Sequence, residues 1–538
     1  MRAWKRIGTL ILTLVLLSVT LAGCGSGGED AASDNNAATN PPDKTEGTEQ
    51  KGDVTGKAEG AKEKYAISVL GNVGVERFPE DELLEKKIEE ELNLDITIEM
   101  PPGSSYLERL QLMLTSGEYS DLVLFGDDLK DTVFVDAVKN GAFLPLNDYL
   151  ENAPNLMKYS YETSWEALQV LKDGKIYGIP RTSIARADGY MIRQDWLDKV
   201  GLSSDVKEGE PITLAQLEEI AEAFTHDDPD GNGAADTYGL YAFATPDGAM
   251  EVLYPWTFGL LGWQEYDGKY MDLKYSLDHD NFERALEFSN KMWKAGLVDP
   301  DWPTIQRTAA DDRFKKGITG FRTEFAGHML NNQKGGRELN PDYTLSYVTG
   351  ITEKEGDPVI GGQYSTGYWG FWGVSSQAEK PERVVELLDY MLSDAIWDEV
   401  KYGPKGVTWE EQNGEKVSIW DPEKKTGNVF RNFIRRNDDP EFFLSLTLAP
   451  EERTRLGNLI DNCIKNFTFA KDRGYRPPIA DDPKFIEYEK NMEVQITKII
   501  VGDLPINDWK EKILPGWYEA GGEEYIKQMQ EYIESQEK

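Results

Sequence analysis

The segments YAISVL at residues 65–70, LDITIEM at 94–100 and LVLF at 122–125 decide the fold of this chain. The second segment alternates between apolar and polar residues, which is typical of a half-buried strand, and the third is apolar throughout, as in a buried parallel strand. The spacing of apolar residues between them predicts a helix that starts near Pro79 and a second helix over 106–116. The β-α-β-α-β order therefore predicts an α/β fold with a parallel sheet.

The loop after the third strand contains Gly126, Asp127 and Asp128. Ligands of open α/β sheets bind beyond the carboxyl ends of the parallel strands. We therefore predict that Asp127 and Asp128 are ligand-binding residues.

The composition excludes several classes of function. The 538 residues include 58 Lys and Arg, 96 Asp and Glu, two Cys and three His, and the formal net charge is −38. Such a surface repels a phosphate backbone, which excludes nucleic acid as a partner. Two Cys allow at most one disulfide, and with so few His they argue against a structural zinc site. The length predicts roughly three globular units.

The first 24 residues have the pattern of a signal peptide. Three basic residues precede an apolar run over 7–20, which is shorter than the roughly 20 apolar residues of a membrane-spanning helix. The end of this segment, LAGC at 21–24, resembles a bacterial lipobox, which implies removal of 1–23 and lipidation of Cys24. The alternative is an ordinary secretory signal with a chance Cys.

The segment that follows has almost no large apolar side chains. Residues 24–63 are therefore predicted to be a disordered tether behind the lipidated Cys. Removal of the signal peptide takes away three basic and no acidic residues, which lowers the net charge from −38 to −41. We expect a protein that is lipid-anchored at the extracellular face of the cell membrane.

The segment DPDGNGAAD at 228–236 has the oxygen-ligand spacing of the first half of an EF-hand loop. It predicts a structural Ca²⁺ site with the ligands Asp228, Asp230, Asn232, Ala234 (through its carbonyl) and Asp236. Gly239 stands where an EF-hand has Glu, so the closing ligand is left open between Thr237 and a distant carboxylate. The alternative is a surface turn of Asp, Asn and Gly.

Two aromatic segments, each rich in Gly or Pro, suggest a sugar site. Planar rings stack on the C–H faces of sugars, and neighbouring polar groups bind the hydroxyls. Each ring could instead belong to a hydrophobic core. The predicted ligand-binding aromatic residues are Tyr254, Trp256, Trp263, Tyr368, Trp369, Trp372 and Trp409.

Signals of catalysis are weak. His226, His279 and His328 are isolated, and no P-loop or Rossmann glycine pattern is present. Carboxylate spacing carries no information about glycosidase chemistry in a chain with 96 acidic residues. We therefore predict that the protein is not an enzyme and that Cys463 is a buried small hydrophobic residue.

A succession of motifs resembles the family 1 extracellular solute-binding proteins of ABC importers, in particular the large lipoproteins of Gram-positive bacteria. The likeness spans about residues 65–535 and is carried by DGKIYGIP at 173–180, YMIRQDWLDKVGL at 190–202, DPDGNGAADTYGL at 228–240, WKAGLVDP at 293–300, KPERV at 380–384, YGPKGVTW at 402–409 and the tail 504–526.

The resemblance implies a two-lobe, periplasmic-binding-protein-like fold of type II, with a hinge between the lobes, ligand in the cleft and a helical C-terminal region. Lobe one would comprise 64–180 and 346–396, and lobe two 185–345 and 397–538. Trp256 falls at an aromatic contact of sugar-binding relatives, and Arg322 and Glu324 fall in another contact segment. Some alginate-binding relatives carry a calcium loop that aligns with 228–236, closed by an acidic residue where this chain has Thr237.

These observations predict a monomeric substrate-binding lipoprotein that captures an oligosaccharide and delivers it to the permease subunits of an ABC importer. The alternatives are a cell-surface carbohydrate-active enzyme or adhesin, and a peptide-binding transport lipoprotein. Arg181, beside the first crossing, and Arg322 fit an anionic saccharide, but Arg also binds neutral hydroxyls. The charge of the ligand is therefore left open.

Overall fold

The structure is a computed structural model that describes residues 63–72, 77–126, 129–183, 188–244, 254–360, 362–364, 367–421 and 429–536. The predicted signal peptide, the lipidated Cys24 and almost all of the predicted tether lie outside the described residues. Among the described residues, no helix is both long and apolar enough to cross a membrane.

The strands are numbered in chain order. They are β1 (Tyr65–Leu70), β2 (Leu94–Glu99), β3 (Leu122–Phe125), β4 (Gly178–Thr182), β5 (Gly189–Arg193), β6 (Ile212–Thr213), β7 (Tyr238–Leu240), β8 (Trp263–Tyr266), β9 (Lys269–Asp272), β10 (Thr319–Glu324), β11 (Leu345–Val348), β12 (Ile351–Thr352), β13 (Gly362–Tyr364), β14 (Tyr368–Val374), β15 (Trp409–Gln412), β16 (Glu415–Ser418) and β17 (Phe467–Phe469).

The α-helices span Pro79–Leu92, Gly103–Ser116, Val135–Lys139, Asn147–Leu150, Pro154–Lys158, Glu162–Ala167, Gln194–Val200, Leu214–His226, Asn281–Lys294, Arg307–Lys315, Met329–Arg337, Pro381–Met391, Trp397–Tyr402, Pro450–Ile464, Pro483–Ile500, Leu514–Trp517 and Glu523–Gln536. Short 3₁₀ helices span Pro255–Phe258, Leu273–Tyr275, Ala326–His328, Phe430–Asn432, Pro440–Phe443 and Pro478–Asp481. Short π-helical segments span Lys130–Phe134, Trp509–Ile513 and Tyr518–Gly522.

The first sheet has the strand order β2-β1-β3-β14-β4. β1 pairs in parallel with both β2 and β3, and helices Pro79–Leu92 and Gly103–Ser116 connect them, which confirms the predicted β-α-β-α-β unit. β14 comes from a distant part of the chain and pairs antiparallel with both β3 and β4. Leu122 and Leu124 face one hydrophobic core while Val123 and Phe125 face another, so β3 is buried on both faces as its continuous apolar run predicts.

The second sheet has the strand order β11-β5-β10-β7. β5 pairs antiparallel with β10 and β11, and β7 pairs in parallel with β10. Two further cores cover this sheet: Ile192 lies in one and Met191 in the other. The chain therefore has two α/β lobes, each built on its own sheet, as predicted.

The predicted lobe boundaries need correction at two places. β11 pairs with β5 and β12 pairs with β6, so the chain leaves the second lobe after Thr352 rather than before residue 346. Trp397 and Phe430 lie in the core of the first sheet, so this part of the chain belongs with lobe one and not with lobe two. The helices at Pro450–Ile464 and Pro483–Ile500 do pack in the cores of lobe two, as predicted for the C-terminal region.

Candidate ligand-binding cleft

The candidate cleft lies between two rows of strand ends, one on each sheet, next to the crossing between the lobes. Each row of strand ends is called an edge of its sheet. At one edge of the first sheet, β3 and β4 end and β14 begins, because β14 runs antiparallel to both. At one edge of the second sheet, β5 begins and β10 ends. β4 of the first sheet ends at Thr182, and β5, the next strand along the chain, begins in the second sheet at Gly189. Asp127 and Asp128 follow β3, but these two predicted residues lie outside the described part of the chain.

Trp369 is the exposed aromatic residue at the edge of the first sheet. It lies where the register of β14 against β4 shifts between Tyr368 and Phe371, and such a bulge re-aims side chains at a strand end. Its indole is 41% exposed, whereas the other described side chains of β14 are buried. The guanidinium carbons of Arg181 and Arg435 each lie 4.1 Å from the centroid of the Trp369 ring. The indole is therefore held between cations while part of its surface remains open.

Asn432 binds both of these arginines. Nε and Nη2 of Arg181 donate to the backbone carbonyl of Asn432 at 2.9 and 2.5 Å, and Nη2 of Arg435 donates to its side-chain oxygen at 3.1 Å. Burial of Arg181 lowers the pKa of its guanidinium to about 10. Both cations are thus fixed beside Trp369 by one residue of the segment Phe430–Asn432.

Glu324 and Arg322 form a bonded network at the end of β10. Nη2 of Arg322 donates to Glu324 at 2.7 Å, and Nη1 of Arg322 pairs with Asp311 at 2.9 Å. Glu324 also lies 3.0 Å from Nδ1 of His328. Burial raises the pKa of Glu324, but the hydrogen bond from His328 and the charge of Arg322 outweigh burial and lower that pKa to about 2. Arg322 is itself buried, so it positions Glu324 rather than facing the cleft.

Five of the predicted aromatic contacts are core residues in the structure. Each is at most 3% exposed, which leaves no ring face for a sugar. The indole nitrogen of Trp372 donates to the carbonyl of Phe433 at 2.7 Å, and that of Trp409 donates to the carbonyl of Gly403 at 2.8 Å. The structure therefore buries the side chains of five predicted ligand-binding residues, namely Tyr254, Trp263, Tyr368, Trp372 and Trp409. Trp256, in the 3₁₀ helix Pro255–Phe258, is half-buried and can still contact a ligand.

A row of rings links the two lobes. The guanidinium carbon of Arg435 lies 5.3 Å from the ring centroid of Phe443, which packs 4.7 Å from that of Phe325. Phe325 lies in turn 5.5 Å from the ring of His328. Contacts therefore run without a break from Trp369 of the first sheet to the Glu324–His328 pair of the second.

Residues 78–396, more than half of the chain, match the family of bacterial extracellular solute-binding proteins. The chain belongs to this family.

Known proteins resemble this solute-binding protein along most of its length. The polygalacturonan/rhamnogalacturonan-binding protein YtcQ of Bacillus subtilis (strain 168) is 24% identical over 507 residues, 90% of this chain and 94% of YtcQ. The crystal structure of the alginate-binding protein AlgQ2 without calcium ion is 18% identical with a TM-score of 0.62, and covers 88% of this chain and 99% of its own. The EF-hand mutant of the ABC-transporter substrate-binding protein FusA of S. pneumoniae, in complex with fructo-nystose, is 16% identical with a TM-score of 0.59 and has the same coverage.

Sequence patterns did not identify Asn432, Arg435 and Phe443 as cleft residues of this solute-binding protein. They come from a segment without a strand or a long helix, between Phe430–Asn432 and Pro440–Phe443. The one local indication of a site is the pair Arg435–Arg436 next to an apolar stretch. Of these two residues, Arg435 packs on Trp369, whereas Arg436 forms an ion pair with Asp394 at 2.7 Å. Contacts across more than 250 residues of sequence, such as Arg181 with Asn432, cannot be read from local periodicity.

The predicted calcium loop forms a network of its own side chains. Nδ2 of Asn232 donates to Asp230 at 2.7 Å and to Asp236 at 3.2 Å, while Asp228 accepts from the backbone N–H of Gly233 at 3.1 Å. Oδ1 of Asp228 is buried without a hydrogen-bond partner. The hydroxyl of Thr237 donates to the carbonyl of Phe224 at 2.9 Å. The described residues contain no group of three or more His, Cys, Asp or Glu placed to share a metal ion.

The lobes of the solute-binding protein also meet at a second place, which we call the latch: Lys130, Glu166 and Lys172 of lobe one with Arg473, Gly474, Tyr475 and Tyr532 of lobe two. Glu166 and Arg473 form an ion pair. Nζ of Lys130 donates to the carbonyl of Gly474 at 3.0 Å. Nζ of Lys172 lies 3.8 Å from the ring centroid of Tyr475, which stacks on Tyr532 at 4.0 Å. Charged and polar contacts across an interface of this kind can break and re-form as the lobes move.

Glu166→Gln tests whether the latch holds the lobes together. A partly exposed ion pair contributes up to about 1 kcal/mol, so its loss should raise the ratio of open to closed protein by up to roughly fivefold. We expect a larger radius of gyration by small-angle X-ray scattering of the ligand-free protein, with little change in Tm. Glu531→Gln, an exposed residue of the groove beside the latch, is the matched control. An unchanged radius in Glu166→Gln would contradict a holding role.

Proposed function

We propose that this protein is the substrate-binding lipoprotein of an ABC importer, that it captures an oligosaccharide between its lobes, and that it presents the closed complex to a membrane permease. The observation that carries the proposal is the partly exposed indole of Trp369 at the cleft edge of the first sheet. An exposed ring with polar neighbours is suited to stacking on a sugar. The names of YtcQ and AlgQ2, two relatives matched over most of this chain, describe binding of polysaccharides and support the same class of ligand.

Capture needs no bond to be made or broken in the ligand. Closure of two lobes buries a ligand on both sides, so the free energy of binding also stabilises the closed form. Trp369 and the arginines beside it would contact the ligand from lobe one, and Glu324, His328 and Trp256 from lobe two. Formation of product from an oligosaccharide by the pure protein would contradict this proposal and favour an enzyme.

Cys24 supports a lipid anchor. The LAGC sequence at 21–24 ends a short apolar segment, and lipidation there would leave residues 25–63 as the link to the folded lobes. Stable anchoring takes more than one acyl chain, which a diacylglycerol-modified Cys provides. In this arrangement the protein works at the outer face of the membrane, next to its permease.

Trp256→Ala and Trp369→Ala test the sugar site. Each change removes a stacking surface, and we expect at least a tenfold loss of oligosaccharide affinity, equal to about 1.4 kcal/mol, by isothermal titration calorimetry. The Tm should change little, because neither ring is fully buried.

Trp293→Ala is the control for these two variants. Trp293 is half-buried on helix Asn281–Lys294 and packs against Trp302, away from the strand edges of the cleft. This control should leave the affinity unchanged. Unfolding of Trp369→Ala, or wild-type affinity in both cleft variants, would contradict the site.

We also propose that the loop 228–236 holds a structural Ca²⁺. Asp228, Asp230, Asn232 and Asp236 supply the hard oxygen ligands that calcium prefers, and the unpartnered Oδ1 of Asp228 fits a cation. Burial, and then the nearby Asp228 and Asp236, raise the pKa of Asp230, and a bound cation would offset this crowding of carboxylates. Two structural relatives support a calcium loop in this fold, since AlgQ2 was crystallised without calcium ion and FusA was studied as an EF-hand mutant.

Removal of calcium tests this loop. A ligand that binds only the folded protein raises the Tm, so we expect the wild-type Tm to fall with EDTA and to recover with excess CaCl₂. Asp230→Asn should abolish most of this response because it removes a carboxylate from the loop. Asp312→Asn, an exposed change on helix Arg307–Lys315, should keep the response. A wild-type Tm that does not respond to EDTA would contradict the calcium site.

A further inference from the structure

Among the described residues, Arg181 is a buried cation without a carboxylate partner. Its side chain is 5% exposed, and within the described residues it bonds to the carbonyl of Asn432 and packs on Trp369 but forms no ion pair. Burial of an unpaired charge is costly, and a protein that does so without need loses stability. The burial of Arg181 therefore calls for a reason beyond packing.

Three other buried arginines of the chain, in contrast, pair with acidic side chains. Arg193 pairs with Asp195 at 2.6 Å, and Arg436 pairs with Asp394 at 2.7 Å. Arg322, described above, binds two carboxylates. In a chain with 96 Asp and Glu residues, a carboxylate for Arg181 is easily supplied by the protein itself. The protein instead places a second arginine, Arg435, on the same indole.

Gly370 brings the backbone of β14 close to the guanidinium of Arg181. Gly370 has a φ of +125°, and a Cβ there would lie 2.8 Å from the carbonyl oxygen of Phe125 and 3.5 Å from Nη1 of Arg181. Nη1 thus lies at the carboxyl end of β3, on the cleft edge of the first sheet. A side chain at position 370 would clash with the carbonyl of Phe125 and would be strained at this φ, so only glycine lets the backbone pass this close to Arg181.

We propose that the ligand is an acidic oligosaccharide and that a uronate carboxylate binds Arg181, with Trp369 against the sugar ring and Arg435 as a second cation. This inference rests on the proposed function and adds the charge of the ligand to it. A guanidinium matches a carboxylate with two parallel hydrogen bonds, and the interaction is strengthened where water is excluded. The net charge of −38 does not oppose it at close range, because charges on the outer surface are screened beyond about 8 Å at physiological salt.

The test compares acidic oligosaccharides with neutral counterparts. Trimers and tetramers of galacturonate, mannuronate and glucuronate are titrated into the full-length folded protein by calorimetry, next to the same oligosaccharides with their carboxyl groups reduced to alcohols. We expect at least one acid to bind 100-fold or more tightly than its reduced form. The preference should weaken as NaCl is raised, because the bound groups are charged.

Variants of the arginines connect that preference to the site. Arg181→Gln should remove most of the preference for the acid, and Arg181→Lys should retain part of it, since the charge stays but the fork of donors is lost. Arg435→Gln provides a second readout if Arg181→Gln folds poorly. Arg476→Gln, a surface change of the same charge, is the control and should bind as the wild type does.

Three other results would overturn different parts of the proposal. Equal affinity for the acid and its reduced form would overturn the acidic ligand while leaving the oligosaccharide function intact. Binding of neither form across the panel, with a folded protein, would overturn both. A strong acid preference that persists in Arg181→Gln and Arg435→Gln would place the carboxylate elsewhere and overturn the assignment to Arg181.

Discussion

The antiparallel pairing of β14 between β3 and β4 is the constraint on which the cleft depends. β14 returns the chain from the second lobe and pairs Trp372 with Leu124 on one side and Ile179 on the other. This pairing places the start of β14 beside the ends of two strands from the first third of the chain. Trp369 and Arg181 meet because of it, although 188 positions separate them in the sequence. The bulge before Phe371 then turns Trp369 outward while the rest of the strand stays buried.

The local pattern of apolar and polar residues predicted the strands and helices of the first sheet well. It predicted less well which segments of the chain belong to which lobe. The run LVLF at 122–125 and the alternation at 94–100 each reflect which faces of one strand are buried, and that information is local. The lobe to which Trp397 or Phe430 belongs depends on which core has room for it, which is a property of the assembled protein. The two-lobe architecture was therefore predictable from the family resemblance, and the boundary errors lie where the chain changes lobes.

The aromatic residues show the same limit. Trp369 and Trp372 are three residues apart in one Gly-rich segment, and composition alone treats them alike. In the structure, Trp372 is fully buried and Trp369 is 41% exposed, because a bulge separates them and because Phe433 covers Trp372. A cluster of tryptophans could thus indicate a binding site without indicating which ring would form it. The cations that flank the exposed ring come from two other segments, and only the folded chain brings them together.

The two edges of the cleft differ in how their charged groups are paired, and this difference bears on the ligand that we propose. At the second edge, Glu324 is compensated by Arg322 and His328, so a ligand meets a network whose charges are already satisfied. At the first edge, the charge of Arg181 is balanced by a carbonyl and an aromatic ring rather than by a carboxylate. For the proposed acidic oligosaccharide, the first edge would favour the negative charge of the ligand, whereas the second edge would offer hydrogen bonds that suit any sugar. Closure of the lobes would then combine a surface that selects the ligand with one that holds it in place.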